Sequence, residues 1–125
     1  MENVKLVIPK KSEYLSTIRL TTSALSNING YNIDDIDDLK VILSEICIFF
    51  INSIEKNDKP FEIEYFIEEN KLRIEVCDLN DGEITENNKI NSEICILIIE
   101  SLSNKYKIDL QNKKIWFEKT CLNIE

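Results

Sequence analysis

The sequence predicts an α/β two-layer sandwich, in which helices pack on one face of a mostly antiparallel sheet. Short segments with alternating apolar and polar residues, typical of half-buried strands, occur near both ends and in the middle of the chain. Longer segments between them have the three- and four-residue apolar spacing of helices. The predicted order is β-α-α-β-β-α-β-β, and we expect residues 1–125 to form a single domain.

The chain begins with a predicted strand at residues 4–8, followed by a helix. Ser12 can cap the start of this helix, and Gly30 is well placed to end it. Its apolar stripe would consist of Tyr14, Leu15, Ile18, Thr22, Leu25 and Ile28. Its opposite face would consist of Ser16, Arg19, Ser23 and Ser26. We expect Arg19 to be exposed there, either as a plain surface charge or as an anchor for a partner.

The second helix is predicted from Asn32 to about Lys56. Its first turns are acidic, which complements the positive end of the helix dipole. Its second half, residues 44–54, is apolar almost all the way round and contains one carboxylate, Glu45. A glutamate is rarely buried without a partner or a task, so Glu45 either extends to an edge or faces a pocket.

The second half of the chain alternates between hairpins and one further helix. Residues 61–67 and 72–77 alternate in polarity around a short turn and predict a hairpin with one charged face. The polar segment 83–91 predicts a loop, and the apolar segment 93–102 predicts a helix. Residues 106–117 predict a second hairpin.

Composition excludes several classes of function. The net charge of −8 argues against a nucleic-acid-binding surface, which needs clustered lysine and arginine. The chain has no histidine, which removes histidine-based nucleophile activation and metal binding. The four cysteines have no close spacing, so we expect reduced core thiols in a cytoplasmic protein rather than a zinc site. We also expect no signal peptide and no membrane-spanning segment.

Several stretches carry a more specific resemblance, chiefly "IPKKSEYLSTIRLTTSAL" and "DIDDLKVILSEIC". They resemble the anti-sigma-factor serine kinases of the bacterial stress-response and sporulation type, in the GHKL superfamily of histidine-kinase-like ATPases. The resemblance implies that Glu45 matches the glutamate that activates the attacking hydroxyl, and that Asp78 matches the aspartate that reads the adenine amino group. It also implies a homodimer that contacts a sigma factor or an anti-anti-sigma protein through the helix face around Arg19.

The sequence departs from the motifs of that family at the remaining nucleotide-binding positions. Phe49 stands where an asparagine would hold Mg²⁺, and Asn80 stands where a glycine is expected. The glycine positions that would wrap the phosphates carry Ser92, Glu93 and Cys95. An aromatic ring cannot ligate Mg²⁺, and side chains obstruct the close backbone approach that phosphate binding needs.

The resemblance implies a regulatory protein that binds a sigma factor, an anti-anti-sigma partner or both, and the departures predict that it does so without ATP, Mg²⁺ or another cofactor. The alternative is an active serine/threonine-protein kinase that uses Mg-ATP, with Glu45 as general base and Asn52 as a substitute metal ligand. A second alternative is a non-catalytic subunit that pairs with an active paralogue.

Overall fold

Five strands form one antiparallel sheet, and three helices cover one of its faces. The computed structural model describes residues 2–84 and 86–121, except for the side chains of residues 86–92. The strands are β1 (Glu2–Ile8), β2 (Phe61–Glu68), β3 (Lys71–Asp78), β4 (Lys105–Asp109) and β5 (Lys114–Thr120). The helices are α1 (Leu15–Ile28), α2 (Ile33–Ser53) and α3 (Glu86–Leu102). The sheet order is β1-β2-β3-β5-β4, which confirms the predicted two-layer α/β class.

Helix α2 lies at the centre of the helical layer. It packs against α1 on one side, α3 on the other, and β3 and β5 beneath. This position explains why its sequence is apolar nearly all the way round, since three of its sides meet protein. The helix begins where predicted, and Asn32 is its cap: the Asn32 side-chain oxygen accepts the backbone N–H of Asp35 at 2.8 Å. The helix ends at Ser53, slightly before the predicted Lys56.

The buried face of α1 differs from the predicted stripe. It consists of Leu15, Ile18, Thr22 and Ser26. Ile28, predicted to be buried, is 77% exposed, whereas Ser26, predicted on the outer face, is fully buried. The Thr22 hydroxyl lies 2.8 Å from the Tyr65 hydroxyl, and the Ser26 hydroxyl donates to the Thr22 carbonyl at 2.5 Å. Because local hydrogen bonds satisfy these hydroxyls, the two residues pack in the core as small side chains.

The predicted starts of α1 and α3 are also wrong. Ser12 lies inside a short 3-10 turn rather than at the cap position, so α1 begins at Leu15. Helix α3 begins at Glu86, within the segment 83–91 that predicts a loop. A polar composition does not exclude a helix, because a helix needs apolar residues only on the face that meets the core.

The cysteines are free thiols throughout the chain. Cys47, Cys95 and Cys121 are buried, as predicted, whereas Cys77 is half-buried on β3. Within residues 2–84 and 86–121, no group of three or more cysteine, aspartate or glutamate side chains could hold a metal ion. No helix in the same part of the chain is both long and apolar enough to cross a membrane.

Gly30 ends α1, as predicted. Its φ is 83°, its N–H donates to the Asn27 carbonyl, and the next N–H, of Tyr31, donates to the Ser26 carbonyl. These two bonds form the glycine-containing helix end in which a positive φ is required. We expect Gly30→Ala to lower the free energy of unfolding by about 1 kcal/mol, because alanine is strained at this φ. Urea unfolding measures this change.

Asn27→Ala is the matched control, since Asn27 is exposed and lies within the helix. Alanine favours helix there, so the control should keep or slightly raise the stability. Equal stability of Gly30→Ala and the parent protein would contradict the strained helix end.

Candidate functional site

Glu45 lies on α2 between two depressions in the helical layer. It is half-buried, so it neither extends fully into water nor enters the core. The larger depression, about 420 Å³, is the groove between α1 and α2, lined by Arg19, Asp37, Lys40, Val41, Ser44 and Glu45. The smaller one, about 120 Å³, is the cavity between α2 and α3, lined by Glu45, Ile48, Phe49, Asn52, Ile94 and Cys95.

The cavity between α2 and α3 brings together four of the predicted site residues: Glu45, Phe49, Asn52 and Cys95. Its volume is well below the roughly 300–1,000 Å³ of ordinary small-molecule sites. Phe49 is 3% exposed and packs against Phe50 with ring centroids 5.4 Å apart. A buried aromatic side chain therefore forms part of the wall at the position where the resemblance implies a metal-binding asparagine.

The other polar groups of this cavity do not form a metal or phosphate site. Burial, helped by the nearby Glu45 charge, raises the pKa of the Cys95 thiol to about 12, so the thiol stays protonated at neutral pH. Glu93 is exposed on α3, and the side chain of Ser92 lies outside the described residues. Asn52 is exposed two helical turns beyond Glu45, about 10 Å along the axis. The residues present therefore do not fit Mg²⁺, which needs several oxygen ligands around one point.

Asp78 lies in a separate, fully enclosed place at the end of β3. Its carboxylate is 0% exposed and forms an ion pair with the Lys10 ammonium, Nζ to Oδ2, at 2.7 Å. Among the described residues Oδ2 has no hydrogen bond of regular geometry, so this contact is mainly an attraction between opposite charges. The Lys10 ammonium also donates to the Ile54 carbonyl at the end of α2, at 2.6 Å.

Asn80 completes the enclosure of Asp78. Its backbone N–H and its side-chain amide both donate to Asp78 Oδ1, at 3.0 and 2.8 Å. The same side chain accepts the Lys59 N–H and donates to the Lys59 carbonyl, which joins the loop after α2 to the loop after β3. The Lys113 ammonium donates to the Asn80 carbonyl. Asn80, which stands where the resemblance leads us to expect a glycine, therefore has a structural role in this chain.

Glu45 lies near the middle of α2, whereas Asp78 lies close to the C-terminal end of this helix. Asp78 is tied through Lys10 to Ile54, nine residues after Glu45, which is about 13 Å along the helix axis. Glu45 has access to the surface through both depressions, whereas Asp78 has none. The structure thus places the two motif carboxylates in different environments, and only Glu45 can contact a ligand directly.

Arg19 is less exposed than predicted. It is half-buried in the groove between α1 and α2, and its Nε donates to the Ser44 hydroxyl at 2.8 Å. This bond fixes the guanidinium beside Glu45 in the same groove. Sequence reasoning missed Ser44 and Lys10 as site residues, because their partners Arg19 and Asp78 are distant in the sequence.

The Lys10–Asp78 pair should contribute strongly to stability. We expect Lys10→Met to lower the free energy of unfolding by about 3–5 kcal/mol, because it leaves a buried carboxylate without its counter-charge. Adding Asp78→Asn to Lys10→Met should restore part of this loss, since the uncompensated charge is removed. Chemical unfolding of the two single variants and the double variant measures the coupling.

Lys5→Met is the control for the loss of a lysine. Lys5 pairs with Glu62 at 3.3 Å on the surface, where an ion pair is worth at most about 1 kcal/mol. Similar losses for Lys5→Met and Lys10→Met would contradict the special role of the buried pair.

Comparison with known proteins finds several relatives that share a name. The chain is 34% identical over 94 residues to proteins named serine-protein kinase RsbW from Bacillus cereus (strain AH820) and Bacillus anthracis. It is 37% identical over 78 residues to the protein of the same name from Bacillus thuringiensis (strain Al Hakam).

The first two alignments cover 74% of this chain and 58% of each relative, and the third covers 62% and 49%. The chain thus spans about half the length of the relatives that it matches. No family model matches the chain. The five-stranded antiparallel sheet with three helices on one face is consistent with the histidine-kinase-like ATPase fold. The chain therefore belongs to the same family as the RsbW serine-protein kinases, the anti-sigma-factor kinase family of the GHKL superfamily.

Proposed function

We propose that this protein is a cytoplasmic, homodimeric anti-sigma-factor-like regulator that no longer binds nucleotide. It would act by binding a sigma factor, an anti-anti-sigma protein or both. The observation that carries the proposal is the enclosed ion pair between Lys10 and Asp78, at 2.7 Å. The carboxylate that would read the adenine amino group already has an ammonium partner from its own chain.

The energetics of this ion pair oppose nucleotide binding. A ligand that reached Asp78 would have to displace the Lys10 ammonium and open the hydrogen bonds of Asn80. Displacing one member of a buried pair leaves a charge uncompensated, a cost of about 3–5 kcal/mol before the ligand gains anything. A single hydrogen bond to an adenine amino group, worth about 1 kcal/mol, does not offset that cost.

The cavity between α2 and α3 supports the same proposal. Its volume of about 120 Å³ is small for a nucleoside triphosphate, and the buried ring of Phe49 forms part of its wall. Glu93 would add a negative charge near the phosphates. Together with the lack of a fitting Mg²⁺ ligand set, these features remove the charge neutralisation on which phosphoryl transfer depends.

Catalysis of serine phosphorylation is the second candidate function, and Glu45 is the observation that favours it. Its half-buried carboxylate reaches both depressions, so it could accept a proton from a hydroxyl placed there. This candidate requires Mg²⁺ to be held near Asn52, about 10 Å from Glu45 along the helix. We favour the binding role for this reason.

A thermal-shift measurement distinguishes the two candidates. We expect millimolar Mg-ATP to leave the melting temperature unchanged, because the nucleotide site is closed. A ligand present at 100 times its Kd stabilises a protein by about 2.7 kcal/mol, which gives a clear upward shift. An RsbW relative from Bacillus cereus tests the assay in parallel. A reproducible shift with Mg-ATP for this protein would overturn the loss of nucleotide binding.

The groove between α1 and α2 is the proposed partner site, with Arg19 as its anchor. We expect Arg19→Ala to weaken binding of a purified sigma factor or anti-anti-sigma protein by roughly tenfold or more, as is typical of an anchoring arginine. Surface plasmon resonance or calorimetry measures the affinity.

Lys11→Ala is the matched control, because it removes an exposed cation that does not line the groove. Binding that is insensitive to Arg19→Ala, or equally sensitive to both substitutions, would remove Arg19 from the partner site.

A further inference from the structure

The turn between α1 and α2 contains the single asparagine–glycine pair of the sequence, Asn29 and Gly30. Asparagine before glycine is the pair most prone to spontaneous deamidation, because glycine has no β-carbon to hinder attack by its backbone nitrogen. The Gly30 nitrogen would bond to Asn29 Cγ, the Cγ–Nδ2 bond would break, and the amide proton would leave with the NH2 group as ammonia. Water would then open the cyclic imide to aspartate or isoaspartate at position 29.

The folded structure keeps the two reacting groups of this pair apart. Asn29 has φ −93° and ψ 12°, so its backbone continues the course of α1. Its side-chain Nδ2 donates to the Leu25 carbonyl at 2.7 Å. The Gly30 N–H donates to the Asn27 carbonyl at 3.2 Å, and this bond favours the neutral amide over the deprotonated form that attacks. Both groups are thus bonded to carbonyls of α1 and meet only when these bonds break.

Contacts with β5 hold the same turn in place. The Tyr31 side chain is buried, and its hydroxyl donates to the Lys119 carbonyl at 2.6 Å. The Tyr31 N–H donates to the Ser26 carbonyl at 3.1 Å. The Cys121 thiol lies 3.5 Å from the Gly30 carbonyl oxygen, which accepts its weak hydrogen bond. The reactive geometry therefore requires the turn to separate from β5 and from the last turn of α1.

We propose that Asn29 is a deamidation site that the folded end of α1 protects, and that the modification proceeds only from a state in which this end has opened. The inference goes beyond the proposed function and does not depend on it. Local opening of a helix end costs less free energy than global unfolding, so the open state is reached under native conditions. Loss of ammonia is irreversible, so the modified fraction accumulates with each opening.

Neither product fits the folded end as well as asparagine does. Aspartate has no Nδ2 donor for the Leu25 carbonyl, and it adds a negative charge at the C-terminal end of α1, where the helix dipole is unfavourable for it. Isoaspartate passes the main chain through Cγ and lengthens it by one carbon. That lengthening displaces the N–H groups of Gly30 and Tyr31 from their acceptors. Modification therefore favours the opened end of the helix that carries Arg19.

Mass spectrometry of proteolytic peptides tests the protection. The parent protein is incubated in buffer and in guanidinium chloride at the same temperature and mildly alkaline pH. We expect deamidation at Asn29 in both, slower by roughly tenfold or more in buffer, because only the open fraction reacts. Asn29→Gln should abolish the mass change of the peptide that contains position 29, since glutamine forms a cyclic imide far more slowly.

Tyr31→Phe tests whether opening of this end controls the reaction. It removes the hydroxyl bond to the Lys119 carbonyl and leaves Asn29 and Gly30 unchanged. We expect deamidation in buffer to become roughly twofold to tenfold faster, the factor that corresponds to the net loss of one hydrogen bond. In guanidinium chloride the variant should react at the parent rate, because the contact is absent there.

Tyr106→Phe is the matched control. It removes a tyrosine hydroxyl bond to Glu100, between α3 and β4, far from the turn in the fold. Deamidation at Asn29 should keep the parent rate in this variant. Circular dichroism and melting temperature establish that each variant is folded.

Three results would overturn the proposal: equal rates at Asn29 in buffer and in guanidinium chloride, no deamidation in guanidinium chloride, or the parent rate for Tyr31→Phe in buffer. Equal acceleration in Tyr31→Phe and Tyr106→Phe would also overturn it, because the reaction would then follow global unfolding. All of these outcomes are separate from nucleotide and partner binding.

Discussion

The buried ion pair between Lys10 and Asp78 is the interaction on which the rest of the site depends. It joins Lys10, two residues after the end of β1, to Asp78 at the end of β3, and through the Ile54 carbonyl to the end of α2. Removing two charges from water is costly, and the attraction between them compensates only when their remaining hydrogen-bonding groups are satisfied. Here the Ile54 carbonyl accepts a hydrogen bond from the ammonium, and Asn80 donates two hydrogen bonds to the carboxylate. The pair is therefore stable only as part of a network, and each member depends on the others.

That network makes Asp78, the position that the resemblance associates with adenine, part of the scaffold of this chain. Asn80 extends it to the Lys59 backbone, and Lys113 connects it to the β4–β5 turn. A glycine at position 80 would leave the loop backbone open to a ligand but could not make the two side-chain bonds to Lys59. Asn80 and the buried Lys10 thus have the same effect, since both bind the Asp78 carboxylate. Each closes the space around Asp78, and together they exchange possible ligand contacts for internal ones.

Sequence reasoning predicted the fold more completely than the site. Strong periodicity gave the strands and α2, and the Asn32 and Gly30 helix ends followed from local chemistry that depends on few residues. The buried face of α1 was predicted less well, because whether Ser26 is buried depends on a hydrogen bond to its own helix. The burial of Lys10 could not be predicted, since a lysine after a strand is normally exposed and its partner is 68 residues away in sequence. Long-range charge pairing leaves no periodic signal in the sequence.

Glu45 has a physical explanation that does not require catalysis. It is half-buried, so its charge keeps contact with water and needs no special compensation, unlike Asp78. It also lines both depressions, so its carboxylate faces the groove that contains Arg19 and the cavity that contains Phe49. Its charge therefore contributes to the electrostatics of the groove between α1 and α2 even when the cavity between α2 and α3 holds no ligand. A carboxylate at this position can thus have a role in the groove that is independent of any chemistry in the cavity, where Phe49 stands four residues later.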